Sequence, residues 1–239
     1  MTYLWQTIIY RPILNALIFF YNTIAFHNLG LAIIFATILL RLILYPLFHT
    51  AARQQVAMQR IQPHIKKIQE LHKNDRDKQA QALMALYKEH GVNPFSSIIL
   101  LIVQIPIMLG LYWVVRSGLA GGTISGLYSF VAQPSSINSM FLGFVNLAQS
   151  NFILICLAAL AQYFQARLAI YRDPNNKAPL SAPEKMARQM SFIAPLLTIF
   201  VFYSLPAAVG LYWLVTSLFS IGQQIIVNKH FKKGETAAV

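Results

Sequence analysis

Long apolar runs constrain this chain more than any other feature of its sequence. Five of them, at 29–48, 94–116, 152–170, 190–204 and 206–227, approach or exceed the ~20 residues that cross a bilayer as a helix, and the fourth is the shortest. Inside hydrocarbon only helices or closed barrels satisfy the backbone, and runs without strict alternation favour helices. We therefore predict an all-α polytopic membrane protein with five transmembrane helices.

The composition agrees with a membrane setting. Hydrophobic residues make up 56% of the chain and charged residues 11%, and the mean hydropathy is +0.53. A soluble domain of this length carries about 25% charged residues. The composition therefore excludes an ordinary soluble domain.

The few charges lie on one side of the predicted spans. Segments 49–94, 167–188 and 228–239 hold 16 of the 19 Lys and Arg residues and all seven acids, whereas 117–166 has no charge. The positive-inside rule makes these segments cytoplasmic, with the N-terminus outside and the C-terminus in the cytoplasm. The net charge of +12 also predicts affinity for anionic lipids. No DNA-binding module is visible, and contact with ribosomal RNA stays open.

The first residues predict a helix of a different kind. Residues 12–26 are apolar, and Asn15 and Asn22 lie seven apart on one helical face. This pattern is typical of an amphipathic helix in the outer interface, and a signal peptide is the competing interpretation. The predicted segments are an outer N-terminal segment with this helix (1–28), transmembrane helix 1 (29–48), a cytoplasmic helical hairpin (49–93), transmembrane helix 2 (94–116), an uncharged outer loop (117–151), transmembrane helix 3 (152–170), a cytoplasmic loop (171–189), transmembrane helices 4 (190–204) and 5 (206–227), and a basic cytoplasmic tail (228–239).

Two of the connecting segments have distinct patterns. In 49–93, Ile61, Ile65 and Ile68 form a narrow apolar stripe, which favours a helical hairpin over a solvated spacer. The outer loop at 117–151 mixes glycines with aromatic residues. We expect it to rest on the outer headgroup layer, with a pore-lining re-entrant loop as the alternative.

Arg41 is an unusual residue for the first span. Its guanidinium keeps its charge at any accessible pH, and holding it at membrane depth costs roughly 3 kcal/mol or more. Thr37 and Tyr45 lie one helical turn away on either side and would share its face. Arg41 either snorkels to the interface from the end of its helix or lies in a wet, positively charged cavity.

Other polar residues interrupt the remaining spans. Interhelical hydrogen bonding explains any one of them, but their bias toward the cytoplasmic half predicts a vestibule that Arg41 shares. Two aromatic residues of the last span would form its outer wall or an interfacial belt. The candidates are Gln104 in the second span, Gln162 and Gln165 in the third, and Tyr212, Trp213, Ser217, Ser220, Gln223 and Gln224 in the fifth.

The sequence contains no sign of an active site. No Asp or Glu lies within a span, and there is no catalytic triad, phosphate-binding loop or metal-ligand spacing. The single cysteine, Cys156, excludes an internal disulfide. We predict that the protein is not an enzyme and uses no cofactor or metal.

Six short motifs resemble those of one family, in order and on the matching spans. They are Thr37-x-x-x-Arg41-x-x-x-Tyr45-Pro46-Leu47, Gln62-Pro63 with Ile65 and Ile68, Met84-x-Leu86-Tyr87-Lys88, Val92-Asn93-Pro94, Gln104-x-Pro106-Ile107 and Gly210-Leu211-Tyr212-Trp213. With these motifs the chain, from about residue 10 to residue 230, resembles the YidC (YidC/Oxa/Alb-type) family of membrane protein insertases, in a short form without a large periplasmic domain.

The resemblance implies a function. Members insert nascent membrane proteins and help them fold, through a hydrophilic groove open to the cytosol and to lipid, in the bacterial cytoplasmic (inner) membrane. Arg41 would be the charge of the groove, Thr37 its neighbour, Gln104 part of its lining, and Tyr212 and Trp213 substrate contacts. Ribosome and Sec translocon stay open as partners. A small-solute transporter or channel and a scaffold subunit remain the alternatives.

Overall fold

The computed structural model describes residues 3–118, 124–170 and 182–236. An α-helical turn at Tyr3–Trp5 and a π-helical turn at Gln6–Tyr10 lead into the first long helix. The helices are α1 (Arg11–Thr23), α2 (Leu29–Ile43), α3 (Tyr45–Arg60), α4 (Gln62–Leu71), α5 (Arg76–Glu89), α6 (Ser96–Gly118), α7 (Phe152–Ala169), α8 (Ala182–Phe202) and α9 (Ala207–Thr236). Strands β1 (Met140–Phe141) and β2 (Val145–Asn146) form an antiparallel pair in the outer loop, which the sequence did not predict.

Four helices of the described residues are long and apolar enough to cross a membrane. Their apolar windows are Ile98–Arg116 in α6, Phe152–Ala169 in α7, Lys185–Phe202 in α8 and Ala207–Phe231 in α9. The bent pair of α2 and α3 is the fifth candidate. The predicted fold class, an all-α polytopic membrane protein, is confirmed.

The predicted first span, 29–48, is not one straight helix. The chain bends by 68° between α2 and α3, close to Leu44. Pro46 lies in the first turn of α3, where it has no backbone N–H to continue the preceding helix. Its ring favours the start of a helix, so the residues after it form a new one. The 15 residues of α2 extend only about 22 Å.

Two other helices extend past the predicted bounds. Helix α8 begins at Ala182 and ends at Phe202, against a prediction of 190–204, and α9 continues to Thr236 through most of the predicted tail at 228–239. Apolar runs mark the part of a helix that suits hydrocarbon, whereas the helix itself continues into water. Residues 171–181 of the predicted cytoplasmic loop and 119–123 of the outer loop lie outside the described residues.

The polar face of α1 binds the outer loop. The Asn15 side chain is buried, where it donates to the carbonyl of Gly126 at 3.0 Å and accepts from the backbone N–H of Tyr128 at 2.6 Å. Asn22 donates to the carbonyl of Ala132 at 2.7 Å. The two asparagines that indicated an interfacial helix therefore form hydrogen bonds with the backbone of the outer loop. The interfacial position of α1 stays a prediction.

The outer loop also caps the last helix. The first backbone N–H groups of a helix have no partner within it. Here Ala207 donates to the carbonyl of Gln149 at 2.8 Å and Ala208 to that of Leu147 at 3.1 Å. Leu147 is completely buried in the main apolar core, which α1, α2, α6, the outer loop and the start of α9 build together. Packed side chains of these segments thus form the core next to the outer loop.

Helices α4 and α5 pair as a hairpin with a small core of its own. Ile61, Ile65, Leu86 and Val92 are its buried members. Asp75 caps α5 by accepting from the backbone N–H of Lys78 at 3.0 Å, and this bond lowers the pKa of the Asp75 carboxyl. Because so few apolar side chains hold it, the hairpin is less stable than the bundle.

Substitution of a glycine where α2 contacts the outer loop tests the packing between them. A methyl group on Gly30 would overlap the ring of Phe141, whereas one on Gly222 has no atom within 4 Å. We expect Gly30→Ala to lower the free energy of unfolding by about 1–3 kcal/mol through overpacking. Gly222→Ala, the matched control, should leave stability unchanged or slightly raised because alanine favours helix. Thermal unfolding in detergent measures both, and equal stability of the two variants would contradict the packing.

Candidate functional site

Arg41 lies in the last turn of α2 and is only 5% exposed. Its Nη2 donates to Oε1 of Gln104 at 3.5 Å, and its guanidinium carbon lies 4.0 Å from the centroid of the Phe48 ring. Within the described residues Nη1 has no hydrogen-bond partner and no carboxylate forms an ion pair with the guanidinium. Arg41 is therefore a buried cation that no acid of the described residues neutralises.

Three features stabilise this cation without removing its charge. The carbonyl end of a helix carries a partial negative charge, and Arg41 lies in the last turn of α2. The face of the Phe48 ring attracts a cation by about 0.5–2 kcal/mol. The Gln104 amide supplies a neutral acceptor. Arg41 does lie near a helix end, as the snorkelling interpretation requires, but its side chain stays buried.

A cavity of about 380 Å³ lies beside Arg41. Five helices contribute to its wall, and the wall contains no acidic residue among those that the structure describes. Amides and hydroxyls dominate its polar part. The lining residues are Arg41, Phe48, Ala52, Gln55, Leu100, Leu101, Gln104, Gln165, Ala169, Trp213, Thr216, Ser217, Ser220, Gln223 and Gln224.

Eight of the residues predicted for the vestibule meet at this cavity. They are Arg41 from α2, Gln104 from α6, Gln165 from α7, and Trp213, Ser217, Ser220, Gln223 and Gln224 from α9. They come from four separate helices, so only the folded bundle brings them together. Ser217 is almost completely buried, as expected for a hydroxyl that faces an internal wall.

Thr37 and Tyr212 do not line this cavity but face a second one. Both line a smaller apolar cavity of about 150 Å³ against α1. The Thr37 hydroxyl donates to the carbonyl of Ile33 at 2.6 Å, which satisfies it within its own helix. The Tyr212 hydroxyl accepts from Nε2 of Gln104 at 2.6 Å. A chain of polar contacts thus runs from Arg41 through Gln104 to Tyr212 and connects three helices.

Tyr45 and Gln162 lie outside the cavity wall. Because the helix breaks before Tyr45, this residue does not continue the face of Arg41, and its ring stacks on His49 with centroids 5.3 Å apart. Gln162 accepts from the Thr198 hydroxyl at 2.6 Å and from Nε1 of Trp213 at 3.2 Å. It joins α7, α8 and α9, so interhelical bonding is its structural role.

Comparison with known proteins decides the family. The sequence model of the family described as 60Kd inner membrane protein matches residues 19–234. The chain belongs to this family. The resemblance predicted from the six motifs is thereby confirmed.

Similar proteins carry a consistent name. The chain is 34% identical over 205 residues to proteins named membrane protein insertase YidC from Francisella tularensis subsp. novicida (strain U112), subsp. tularensis (strain WY96-3418) and subsp. holarctica (strain LVS). Each alignment covers 86% of this chain and 33% of the relative. The chain thus spans about a third of the length of these relatives. Its family and its apolar helices make it a multi-pass protein of a bacterial inner membrane.

In this member of the 60Kd inner membrane protein family, seven residues of the cavity wall were not predicted from the sequence, and three of them come from one helix. Phe48, Ala52 and Gln55 all come from α3. Their spacing of four and three residues places them on one face of a helix. This spacing is visible in the sequence, but it points to the cavity only if Pro46 is interpreted as the start of a new helix that turns back toward Arg41.

The Gln104–Tyr212 bond gives a test of the polar chain. Tyr212→Phe removes the acceptor for Gln104 and leaves its partly buried amide donor without that partner. We expect a loss of about 1–2 kcal/mol in the free energy of unfolding. Tyr163→Phe is the control, because its ring packs on Phe164 and Phe192 and its hydroxyl has no hydrogen bond within the described part of the chain. Thermal unfolding in detergent should separate the two variants, and matching curves would argue against the bond.

Proposed function

We propose that this protein is a membrane protein insertase and chaperone, which takes the polar tail of a nascent membrane protein into the Arg41 cavity and releases its apolar segment into lipid. The observation that carries the proposal is a buried cation with no ion pair among the described residues, beside a cavity whose largely apolar wall carries several amides and hydroxyls. The name of the YidC relatives supports the same class of activity.

The electrostatics of the cavity favour an acidic tail. Two opposite charges at 4 Å attract by about 1 kcal/mol in water and about 4 kcal/mol at an effective dielectric constant of 20. Arg41 can therefore attract a carboxylate far more strongly inside the bundle than at an exposed site. The surrounding glutamine amides offer hydrogen bonds to a polar backbone that has left water.

The order of apolar and polar residues along α9 supports a cavity that opens to one side only. Ala207, Ala208 and Leu211 belong to the packed core at the outer end, whereas Ser217, Ser220 and Gln224 line the cavity further along the helix. The polar cavity thus lies on the side of the basic segments. We place that side in the cytoplasm, with the N-terminus outside and the C-terminus inside.

The wall of the cavity reaches the apolar surface of the bundle at α6. Leu101 lines the cavity and is also 58% exposed. Ile98, Ile102 and Ile105 next to it on α6 are also exposed. An apolar segment leaving the cavity beside Leu101 would meet hydrocarbon, where burial of its side chains releases about 25 cal/mol per Å².

Partners follow from the charges on the proposed cytoplasmic side. Basic side chains of the α4–α5 hairpin and of the end of α9 suit anionic lipid headgroups and ribosomal RNA. We propose nascent membrane proteins, anionic lipids and the ribosome as partners. A Sec translocon as partner stays a prediction from the family resemblance.

Insertion into liposomes tests the proposed activity. The substrate is a single-span protein with an acidic outer tail, its insertion measured by protease protection. We expect Arg41→Ala to reduce insertion about tenfold, which corresponds to about 1.4 kcal/mol. Insertion by Arg41→Lys should fall between that of native protein and that of Arg41→Ala. Arg116→Ala is the control, because Arg116 is exposed and donates to the hydroxyl of Tyr112 on its own helix.

The same liposomes distinguish the alternatives. Native protein that inserts no better than protein-free liposomes would contradict an insertase acting alone. Flux of a small solute through such liposomes would favour a transporter or channel. Insertion that is equal in native protein and Arg41→Ala would keep the insertase and remove the electrostatic role of Arg41.

Single cysteines test the proposed orientation. Cys156 is first replaced by serine, and a cysteine is then placed at Asn74 in the hairpin tip or at Gln133 in the outer loop, both exposed. In intact spheroplasts we expect a membrane-impermeant maleimide to label the Gln133→Cys variant but not the Asn74→Cys variant. Inverted vesicles should reverse the result, and labelling of Asn74→Cys in spheroplasts would overturn the orientation.

A further inference from the structure

The ring of Phe48 is the aromatic contact of the buried cation. Its centroid lies 4.0 Å from the guanidinium carbon of Arg41, and Phe48 is itself buried. Phe48 belongs to α3, on the far side of the 68° bend from Arg41. The bend is therefore what brings the ring to the charge.

The other contact of the guanidinium is weak. A hydrogen bond between nitrogen and oxygen is usually 2.7–3.2 Å long, whereas Nη2 of Arg41 lies 3.5 Å from Oε1 of Gln104. No carboxylate of the described residues holds the guanidinium in place. An arginine side chain has about 2 kcal/mol of rotamer entropy that a single long hydrogen bond does not overcome. The Phe48 ring supplies the additional contact that holds one position.

An aromatic ring differs from an acid as a partner for arginine. It attracts the cation through its negative face but carries no net charge, so Arg41 stays positive. A carboxylate binds the N–H groups at the edge of a guanidinium, where two parallel hydrogen bonds form. The ring has no carboxylate oxygen to accept from these N–H groups, and Nη1 has no hydrogen-bond partner among the described residues. Phe48 thus leaves Arg41 both charged and able to donate.

We propose that Phe48 is the positioning residue for Arg41, and that the preference of the cavity for an acidic tail depends on its ring. This inference rests on the proposed insertase function. Phe48 need not touch the substrate, because it acts through the position and charge of the guanidinium. A tail without acids gains nothing from that position.

Two substrates that differ only in the tail test the inference in liposomes. One tail carries aspartates and the other carries asparagines at the same places. We expect Phe48→Leu to lower insertion of the acidic tail about threefold to tenfold more than insertion of the neutral tail. Phe48→Tyr keeps the ring and should behave like native protein. Phe35→Leu removes a partly buried ring of α2 that packs on Phe20, and serves as the control for lost packing.

A double variant separates positioning from structure. In an Arg41→Ala background, Phe48→Leu should cause no further loss with the acidic tail. An equal loss for both tails, or the same loss with Arg41 absent, would overturn the inference and assign Phe48 to packing alone. Native protein that fails to insert either tail would contradict the proposed function instead.

Nuclear magnetic resonance tests the contact whatever the outcome of insertion. In detergent-solubilised full-length protein, the side-chain N–H signals of Arg41 should be shifted upfield by the ring current of Phe48, with Arg41→Lys identifying them. We expect Phe48→Leu to remove the shift and Phe48→Tyr to keep it. Signals that do not move in Phe48→Leu would overturn the positioning role.

Discussion

The missing backbone N–H of Pro46 determines how the rest of the bundle is arranged. A proline at this point ends α2 after 15 residues and starts a helix in a new direction. Three consequences follow: Arg41 falls in the last turn of a helix, the Phe48 ring reaches its guanidinium, and the chain turns toward the hairpin. A straight helix through 29–48 would have carried Phe48 away from the charge by about two turns.

The polar side chains around Arg41 that the structure describes are neutral. An acid beside Arg41 would lower the cost of burying the charge, but it would also occupy the N–H groups and cancel the attraction for a ligand. Glutamines and serines supply hydrogen bonds without a counter charge. These neutral groups do not satisfy every donor of the guanidinium, because Nη1 of Arg41 is buried without a hydrogen-bond partner among the described residues. In the proposed function, this open donor is the group that a carboxylate of the substrate tail would take.

The sequence predicts much of this fold because the constraints on a membrane chain are few and strong. Apolar length alone located the spans, and the one-sided distribution of charge predicts an orientation. The bias of polar residues toward one half of the spans grouped Gln104, Gln165 and Ser217, and the structure places all three at one cavity. Spacing assumes a continuous helix, so it did not anticipate that the break before Tyr45 removes this residue from the face of Arg41, or that Thr37 lines the smaller cavity against α1. Hydrogen bonds between distant segments, such as Asn15 with the outer loop, leave no periodic signal.

The capping of α9 by the outer loop has a consequence for how the bundle moves. Swinging the loop outward would break the bonds to Ala207 and Ala208 together, and also those that Asn15 makes on another helix. Each unpaired group would then face a poorly hydrated surround, at about 1–3 kcal/mol apiece. The outer loop therefore couples α1 to α9, and a shift of either helix at this end has to break hydrogen bonds of the other.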